Sequence, residues 1–417
     1  MPILIKANLA CNFACEYCYE HPIREEAPEI DFPAVEETIR RLWKEQYERR
    51  IGKKKKLDDK DLPLVTLHGG EPTILPRADF ERFLKLAFEL SKRSSIQTNG
   101  LLIDDDMIEL FKKYNTGVGI SIDGPWPLNE LRGIGTKAQR KKQTRKILKT
   151  LDRLRTTELP KEFWTKDKDG KEIPRYLKPS VIAVIHKKNG LPDRREVLKQ
   201  WVLGLHEKKI GGRLNICCTG NEEIDLTPQE AVDFYVDMFD FMMENGIDSF
   251  SPFRDIIAAL KGESSYVCVF KECDPYSTPS CTTVLKDGSV GVCLRLYGDG
   301  KIYLRNDPMT HIRGDVLKQT DCKDCPWWKY CYGGCCGLAV DWDWRNKDRY
   351  CLAYKAMFEK ALNVLKALRI KTKSKQDRGR KKDISRRYQG EGDHQDGIEH
   401  VDGNTRYVDS DYPDGGD

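Results

Sequence analysis

The sequence has no signal peptide, no long apolar run, no internal repeat of the solenoid type and little net charge. A transmembrane helix needs about 20 consecutive, mostly apolar residues, so we predict a protein that does not use a membrane. The formal charge of +5 is the small difference between 71 basic and 66 acidic residues. It therefore implies no strong global field for attracting a charged partner.

Cysteine, by contrast, is abundant. Fifteen cysteines among 417 residues would suit a disulfide framework in a secreted protein, but the secretion signal is missing. We therefore predict that the protein works in a reducing, oxygen-poor cytoplasm.

Short β-branched runs alternate with longer amphipathic stretches, a pattern typical of repeated β–α units around a parallel sheet. The sequence predicts strands near 3–8, 64–68, 95–98, 117–123, 180–186 and 213–218. It predicts helices near 33–49, 78–92, 105–114, 140–155, 192–208 and 228–245. The predicted fold class is α/β. Two charged segments without apolar periodicity, 48–63 and 156–180, are interpreted as solvent-exposed insertions.

Three cysteines follow the first predicted strand: Cys11, Cys15 and Cys18, with the spacing C-x3-C-x2-C. Three thiolates can hold three corners of a [4Fe–4S] cube and leave the fourth iron open. An ordinary electron carrier is normally closed by four cysteines, so an open corner indicates chemistry at iron. Zinc is the main competitor, although structural zinc prefers four ligands in C-x2-C-type pairs.

This spacing resembles the radical S-adenosylmethionine (radical SAM) family, and three later segments extend the resemblance in the expected order. They are "GGEP" at 69–72, "QTNG" at 97–100 and "SIDG" at 121–124, each at the end of a predicted strand. In that family the open iron chelates the methionine part of SAM. One electron then gives a 5′-deoxyadenosyl radical, which removes a hydrogen atom from the substrate.

The resemblance implies a partial (β/α)6 TIM-type barrel with functional residues at the carboxyl ends of its strands. It assigns the cluster to Cys11, Cys15 and Cys18, and assigns SAM binding to Tyr17, Gly69, Gly70, Glu71, Asn99, Ser121 and Asp123. The GGEP backbone and the Glu71 carboxylate are expected to meet the methionine ammonium.

The cysteines after residue 268 resemble the SPASM domain, a C-terminal extension of many peptide-modifying radical SAM enzymes. The resemblance implies two auxiliary [4Fe–4S] clusters. The first would use Cys293, Cys335 and two of Cys268, Cys273 and Cys281; the second would use Cys322, Cys325, Cys331 and Cys351. A zinc ribbon is the competing interpretation, because a C-x2-C pair alone is typical of zinc.

We predict three parts of the chain: a radical SAM barrel at 1–250, a small cysteine-rich domain at 251–368 and a charged tail at 369–417. The tail is basic and then acidic, with few apolar residues, a composition typical of disorder. Basic residues without a recognisable binding fold are weak evidence for nucleic-acid binding, so we predict none.

The predicted function is oxidation of a peptide or protein side chain, giving a thioether or carbon–carbon crosslink or another oxidised product. The auxiliary clusters would accept the second electron. Among the alternatives, a peptide epimerase would use Cys217 or Cys218 as hydrogen-atom donor, because both end the sixth predicted strand. A small-molecule dehydrogenase and a non-catalytic Fe–S carrier are also considered, although a carrier has no use for the open-iron and GGEP motifs.

Sulfatase maturation, the conversion of Ser or Cys to formylglycine, is a further alternative. In that subfamily an Asp after the auxiliary-cluster cysteine serves as base, whereas Leu294 and Arg295 follow Cys293 here. The expected partners are a peptide or protein substrate and an electron donor such as flavodoxin or ferredoxin. Because a barrel strand begins at residue 3, a substrate with a leader would need the barrel face, an insertion or a separate leader-binding protein.

Overall fold

The candidate functional residues lie along one edge of a large, mostly parallel β-sheet. The computed structural model describes residues 2–20, 29–52, 57–263, 269, 282–291, 295 and 312–368. Its strands are β1 (Ile3–Lys6), β2 (Val65–His68), β3 (Ser95–Thr98), β4 (Gly117–Ser121), β5 (Thr165–Lys166), β6 (Glu172–Ile173), β7 (Pro179–Ile185), β8 (Gly212–Ile216), β9 (Phe250–Ser251), β10 (Thr282–Leu285) and β11 (Val290–Gly291). Its helices are α1 (Phe32–Ile51), α2 (Arg77–Ser91), α3 (Asp105–Lys113), α4 (Lys137–Thr156), α5 (Lys187–Gly190), α6 (Pro192–Glu207), α7 (Pro228–Glu244), α8 (Phe253–Leu260), α9 (Ile312–Gln319), α10 (Trp328–Cys331) and α11 (Cys351–Ala367).

The nine strands of the main sheet follow the order β11-β10-β1-β2-β3-β4-β7-β8-β9. Every neighbouring pair is parallel except β10–β11, which is antiparallel. In such sheets ligands bind outside the carboxyl ends of the strands. The loops that leave β1, β2, β3, β4, β7 and β8 are therefore gathered at one edge.

The predicted α/β fold with its six strands and six helices is confirmed, with small differences at the ends of the elements. The sheet, however, is larger than the six strands that the sequence predicted. Strands β9 and β11 have two residues each and β10 has four, too short for a clear alternating pattern. Strand β10, from the cysteine-rich part of the chain, pairs with β1 in the parallel direction.

Burial on one face of the sheet explains the β-branched runs. Val118 and Ile120 on β4 lie on the same face as Val181 and Ala183 on β7, because Ile120 pairs with Val181 in register, and all four are essentially inaccessible to solvent. The residues between them on β7 are more exposed. The amphipathic helices cover the buried face, and their polar faces account for the charged stretches between the strands.

Side-chain caps set the starts of the helices that follow the functional loops. Thr136 and Gln139 form a capping box at α4, and Thr227 and Glu230 form another at α7. Such caps satisfy backbone N–H groups that have no partner within the helix. The caps fix the residue at which each loop ends, and they therefore set the length of the loop at the sheet edge.

The cysteine-rich segment is anchored by α11, which packs against α7 and α8. The ring of Phe358 on α11 stacks with Trp327 at 5.3 Å and with Tyr330 at 5.4 Å between ring centroids. The hydroxyl of Tyr350 donates to the carbonyl oxygens of Cys217 and Leu226, each at 3.1 Å. These contacts hold the second cysteine group, which we define as Cys322, Cys325, Cys331 and Cys351, next to the end of β8.

The described residues up to 368 form one compact unit. The 156–180 insertion contains the exposed hairpin β5–β6. The 369–417 tail lies outside the described residues, and the predicted boundary at 250/251 stays a prediction. None of the described helices is both long enough and apolar enough to cross a membrane.

Candidate functional site

The loop after β1 carries the first three cysteines and is held by backbone hydrogen bonds to the loop after β4. The N–H of Ala14 donates to Gly133 O at 2.9 Å, and the N–H of Glu16 donates to Leu131 O at 3.0 Å. Cys15 is buried, whereas Cys11 and Cys18 are partly exposed. One short, fixed loop thus presents three thiols at the sheet edge.

Burial raises the pKa of the Cys15 thiol, and the nearby Arg132 guanidinium opposes that rise. Among the described residues no three His, Cys, Asp or Glu side chains converge on a point that would hold one metal ion. The soft thiolate donors of Cys11, Cys15 and Cys18 fit an iron–sulfur cluster.

The GGEP segment lies directly against the cysteine loop. Gly70 N–H donates to Asn8 O at 3.0 Å and Glu71 N–H donates to Ala10 O at 2.8 Å. Gly69 has φ +139°, and a Cβ there would lie 2.6 Å from Asn8 O. Glycine is therefore required for this close backbone approach.

The Glu71 carboxylate is buried and already has four hydrogen bonds. Its Oε1 accepts from the Thr73 N–H at 3.0 Å and from the Thr73 and Thr98 hydroxyls, both at 2.6 Å; Oε2 accepts from the Asn99 N–H at 2.6 Å. A carboxylate has about four acceptor positions. The carboxylate thus joins the ends of β2 and β3, and the contact between this carboxylate and the methionine ammonium stays a prediction. Burial raises the pKa of Glu71, against the effect of these hydrogen bonds.

Tyr17 and Asp123 belong to a buried network that the sequence did not predict as a unit. The Tyr17 hydroxyl donates to the Asp123 carboxylate, and Arg132 Nε donates to the Tyr17 oxygen at 2.9 Å. Asp123 Oδ1 also accepts from the Val184 N–H at 2.9 Å. Burial alone would raise the pKa of Asp123, but Arg132 and His186 hold it below its usual value.

Arg132 and His186 are the residues that the sequence analysis missed here. Arg132 lies in an irregular loop, where no periodicity or motif drew attention to it. His186 follows β7 directly, and its Nε2 lies 3.5 Å from the Asp123 carboxylate. Its position at a strand end was the one available signal. Its Nδ1 is buried and has no hydrogen-bond partner among the described residues.

Asn99 and Ser121 lie at the ends of β3 and β4, as predicted. The Asn99 amide donates to Asn12 Oδ1 at 2.7 Å, so it supports the cysteine loop. The Ser121 hydroxyl accepts from Gln97 Nε2 at 2.8 Å. Both side chains have partners within the protein at the edge where SAM was predicted to bind.

A second buried polar group lies at the ends of β1 and β2. Lys6 Nζ lies 2.9 Å from Glu20 Oε1, and both side chains are more than 90% buried. His68 is the register partner of Lys6 on β2, and its Nδ1 accepts from the Gly69 N–H at 2.8 Å. Burial lowers the pKa of His68, with Glu20 opposing and Lys6 reinforcing the effect. This group was not predicted, because a single lysine at the end of a short apolar strand carries no signal that it will be buried.

Cys217 and Cys218 follow β8, as predicted. Cys217 is buried and Cys218 is half-buried. Burial raises the pKa of both thiols, that of Cys218 to about 11. Both are therefore protonated at neutral pH, the state that a hydrogen-atom donor needs.

All four cysteines that were predicted for the second auxiliary cluster, Cys322, Cys325, Cys331 and Cys351, lie among the described residues. Burial raises the pKa of Cys322 to about 11, and Cys351 and Cys325 raise it further. Burial raises the pKa of Cys331 to about 12, and the other three thiols add to the rise. Thiolate donors suit an iron–sulfur cluster, and the assignment of these four to one cluster stays a prediction.

Only Cys335 of the predicted first auxiliary set lies among the described residues. It is buried, and its N–H donates to Asp348 Oδ2 at 2.9 Å. Burial raises the pKa of Asp348 to about 6. The other candidate ligands, Cys268, Cys273, Cys281 and Cys293, lie outside the described residues, so that ligand set stays a prediction.

Comparison with known proteins agrees with the motifs. Residues 7–166 match the model of the radical SAM superfamily. The cysteine-type anaerobic sulfatase-maturating enzyme of Clostridium perfringens is 25% identical over 403 residues, which covers 87% of this chain and 96% of the relative. The serine-type enzyme of Bacteroides thetaiotaomicron is 31% identical over 134 residues, which covers 30% of this chain and 29% of the relative.

A solved structure described as native anSMEcpe with bound AdoMet and Cp18Cys peptide has the same fold, with a TM-score of 0.60 at 20% identity. The match covers 88% of this chain and 99% of that chain. Radical SAM domains use SAM together with an iron–sulfur cluster, in agreement with the thiols on the loop after β1. The family match and the shared fold confirm the resemblance read from the sequence: this chain carries a radical SAM domain.

Proposed function

We propose that the protein is a radical SAM oxidoreductase that modifies a side chain of a peptide or protein. The observation that carries the proposal is the similarity, along 87% of the chain, to an enzyme named for maturating sulfatases, which are themselves proteins. The peptide bound in the related solved structure supports the same substrate class.

In this proposal Cys11, Cys15 and Cys18 hold the SAM-binding cluster at the sheet edge. SAM and that cluster, when bound, supply a 5′-deoxyadenosyl radical that removes a hydrogen atom from the substrate. The backbone at Gly69 and Gly70 can face SAM at close range because it carries no side chains. Asn99, Ser121 and the Tyr17–Asp123 pair keep the surrounding loops in place for SAM.

In this proposal the second cysteine group holds a cluster that accepts the second electron of the oxidation. Iron–sulfur centres cover potentials of roughly −700 to +450 mV, so a cluster on Cys322, Cys325, Cys331 and Cys351 can accept the electron left on a substrate radical. We propose another cluster on Cys335 with Cys293 and two of the cysteines at 268, 273 and 281. The products considered are a thioether or carbon–carbon crosslink.

Formylglycine formation is the second candidate function, because both curated relatives are named as sulfatase-maturating enzymes. Leu294 and Arg295 after Cys293 oppose it, since they leave no Asp at the expected position of the base. The same sequence difference is compatible with crosslinking or dehydrogenation.

The test is mass spectrometry of peptides treated with anaerobic, dithionite-reduced protein and SAM in deuterated water. The substrates are the Cp18Cys peptide and any short peptide encoded by a neighbouring gene. Loss of two hydrogens supports dehydrogenation or crosslinking, whereas conversion of the peptide cysteine to formylglycine supports sulfatase maturation.

Two other outcomes contradict the proposed oxidation. A gain of one mass unit without oxidation indicates an epimerase and makes Cys217 or Cys218 the hydrogen donor. Absence of 5′-deoxyadenosine under reducing, oxygen-free conditions indicates a non-catalytic electron carrier.

A further inference from the structure

The loop after β8 meets the cysteine-rich segment at a half-buried surface. We call it the arginine rim and define it by Arg295, Trp342 and Arg349 beside Cys218. Its floor is the loop at Thr219 and Gly220, at the carboxyl end of a strand, where substrates of such folds bind.

The backbone at Trp342 is strained. Asp341 and Trp342 have φ values of +55° and +58°, in the left-handed region that bulky residues rarely adopt. The Trp342 side chain is nevertheless 45% exposed, so packing into the core is not the reason for this conformation. It lies over Gly220, where an added Cβ would be 3.2 Å from the indole. Strain of this kind clusters at binding sites.

Arg349 lies against the indole, with its guanidinium carbon 4.5 Å from the ring centroid. Among the described residues no carboxylate lies within ion-pair distance of this guanidinium. A half-buried arginine stacked on an aromatic ring is oriented for bidentate binding of a carboxylate. Within the part of the chain that the structure describes, the guanidinium therefore has no anionic partner, and its planar edge can bind one.

Arg295 brings a second positive charge to the same place. Both guanidinium groups act on the Cys218 thiol and oppose the rise of its pKa. The Arg295 side chain also limits the space at Gly337, where an added Cβ would lie 2.9 Å from its own Cβ. It is thus packed within the cysteine-rich segment and extends its charge toward the end of β8.

The nearby carboxylates have partners within the protein. Asp225 accepts from the N–H groups of Thr219 and Gly220 at 2.7–2.9 Å, which fixes the floor of the rim. Asp348 accepts from the N–H groups of Cys335 and Tyr350, and the Arg295 charge opposes the rise of its pKa. Asp343 pairs with the Arg345 side chain.

We propose that the arginine rim binds a carboxylate of the peptide substrate, so that the enzyme selects peptides with an acidic residue near the modified position. This inference rests on the proposed function, which supplies the peptide. It adds the chemical class of the substrate and assigns Arg349 and Arg295 as specificity residues.

The test is the binding of two fluorescent decapeptides to the full-length protein, measured by anisotropy without SAM or reductant. The peptides contain one cysteine and differ only in having two Glu or two Gln residues beside it. Because a hydrogen-bonded ion pair is worth about 1.5 kcal/mol or more, the wild type should bind the Glu peptide at least about tenfold more tightly.

Arg349→Gln should reduce this preference to about threefold or less, and Arg295→Gln should reduce it as well, since each removes one charged partner. Arg349→Lys should retain part of it because the charge remains. The matched control is Arg345→Gln, which removes the same charge from an exposed side chain four residues away and should leave the preference unchanged.

Equal affinity for the two peptides, binding of neither peptide, or an equal loss in the Arg345→Gln control would overturn the inference. The proposed function has its own readout in SAM cleavage and peptide mass. Peptide modification without a Glu preference leaves the function standing and removes the carboxylate subsite. A Glu preference in a protein that never forms 5′-deoxyadenosine supports the carboxylate subsite and contradicts the proposed function.

Discussion

Individual buried side chains at the strand ends are bound to one another before any cofactor is considered. Glu71 is the clearest case, because its carboxylate accepts four hydrogen bonds from Thr73, Thr98 and Asn99, at the ends of β2 and β3. Its first role is therefore to hold these strand ends together.

We expect Glu71→Gln to destabilise the protein by about 1.5–3 kcal/mol, since an amide NH₂ would face hydrogen-bond donors that a carboxylate accepts. Chemical denaturation without SAM measures this loss directly. Glu89→Gln is the control, because that side chain is exposed and its surface ion pair with Arg40 is worth at most about 1 kcal/mol. Unchanged stability together with weakened SAM binding would contradict this structural role and would support a contact between the carboxylate and the methionine ammonium.

The protonation of Cys218 gives a second prediction for a single side chain. Only the thiolate reacts with alkylating agents, and burial raises the pKa of this thiol to about 11. In a Cys217→Ala background, the rate at which iodoacetamide labels Cys218 should be slow at pH 8 and should keep increasing up to about pH 11. Peptide mapping of samples taken over time measures this rate. A rate that reaches its plateau below pH 9 would contradict the protonated state that hydrogen-atom donation requires.

Individual site residues could be predicted from the sequence only where they stand in a recognisable motif. Gly69, Asn99 and Asp123 were found because each stands in a short segment after a predicted strand. Arg132 and Lys6 were missed because their importance arises only from burial beside Tyr17 and Glu20. A lone charged residue carries no sign in the sequence that folding will bury it.

At the scale of secondary-structure elements, Tyr350 connects the start of α11 to the end of β8 and to the loop before α7. Tyr350→Phe should cost about 1–3 kcal/mol of stability, because two buried carbonyl groups lose their shared donor. Urea denaturation measures the change, with Tyr176→Phe as a control at an exposed position. A loss below about 0.5 kcal/mol would mean that the hydroxyl adds little to this connection.

The six central strands were predictable because each has a β-branched run followed by a turn or a motif. Strands β9 and β11 were not, since two residues cannot show an alternation. Strand β10 could not be assigned to a place beside β1 either, because the pairing joins residues about 280 positions apart and nothing local specifies it.

For the whole molecule, the three-cluster proposal predicts about twelve irons and twelve sulfides per chain after anaerobic reconstitution, four of each per cube. Combined replacement of Cys11, Cys15 and Cys18 by Ala should remove about four irons and all SAM cleavage, because these thiols hold the open-iron cube. Iron and sulfide analysis with electron paramagnetic resonance measures both. About four irons in the fully loaded wild type, or zinc in their place, would refute the proposal.

The two cysteine groups are proposed to have different roles, SAM cleavage and electron acceptance, which gives a further prediction. Cys322→Ala combined with Cys325→Ala should abolish the oxidised peptide while leaving part of the SAM cleavage, because the proposed SAM-binding cluster would be held by cysteines on a different loop. The readouts are 5′-deoxyadenosine and peptide mass in the same reaction, with Cys336→Ala as a control for the loss of a buried cysteine. Loss of both products together would show that the two groups do not act separately.

The pairing of β1 with β10 has a consequence for synthesis of the protein. On the ribosome, β1 emerges first, but its second neighbour in the sheet emerges only when residues 282–285 have been made. At roughly 5–20 residues per second, that interval lasts from about a quarter of a minute to about a minute. During this time one side of β1 remains an open edge beside three reactive thiols, and pairings so distant in sequence form slowly. The nascent chain thus offers an edge for aggregation that β10 covers in the finished sheet, so low temperature and anaerobic growth should raise the yield of intact protein.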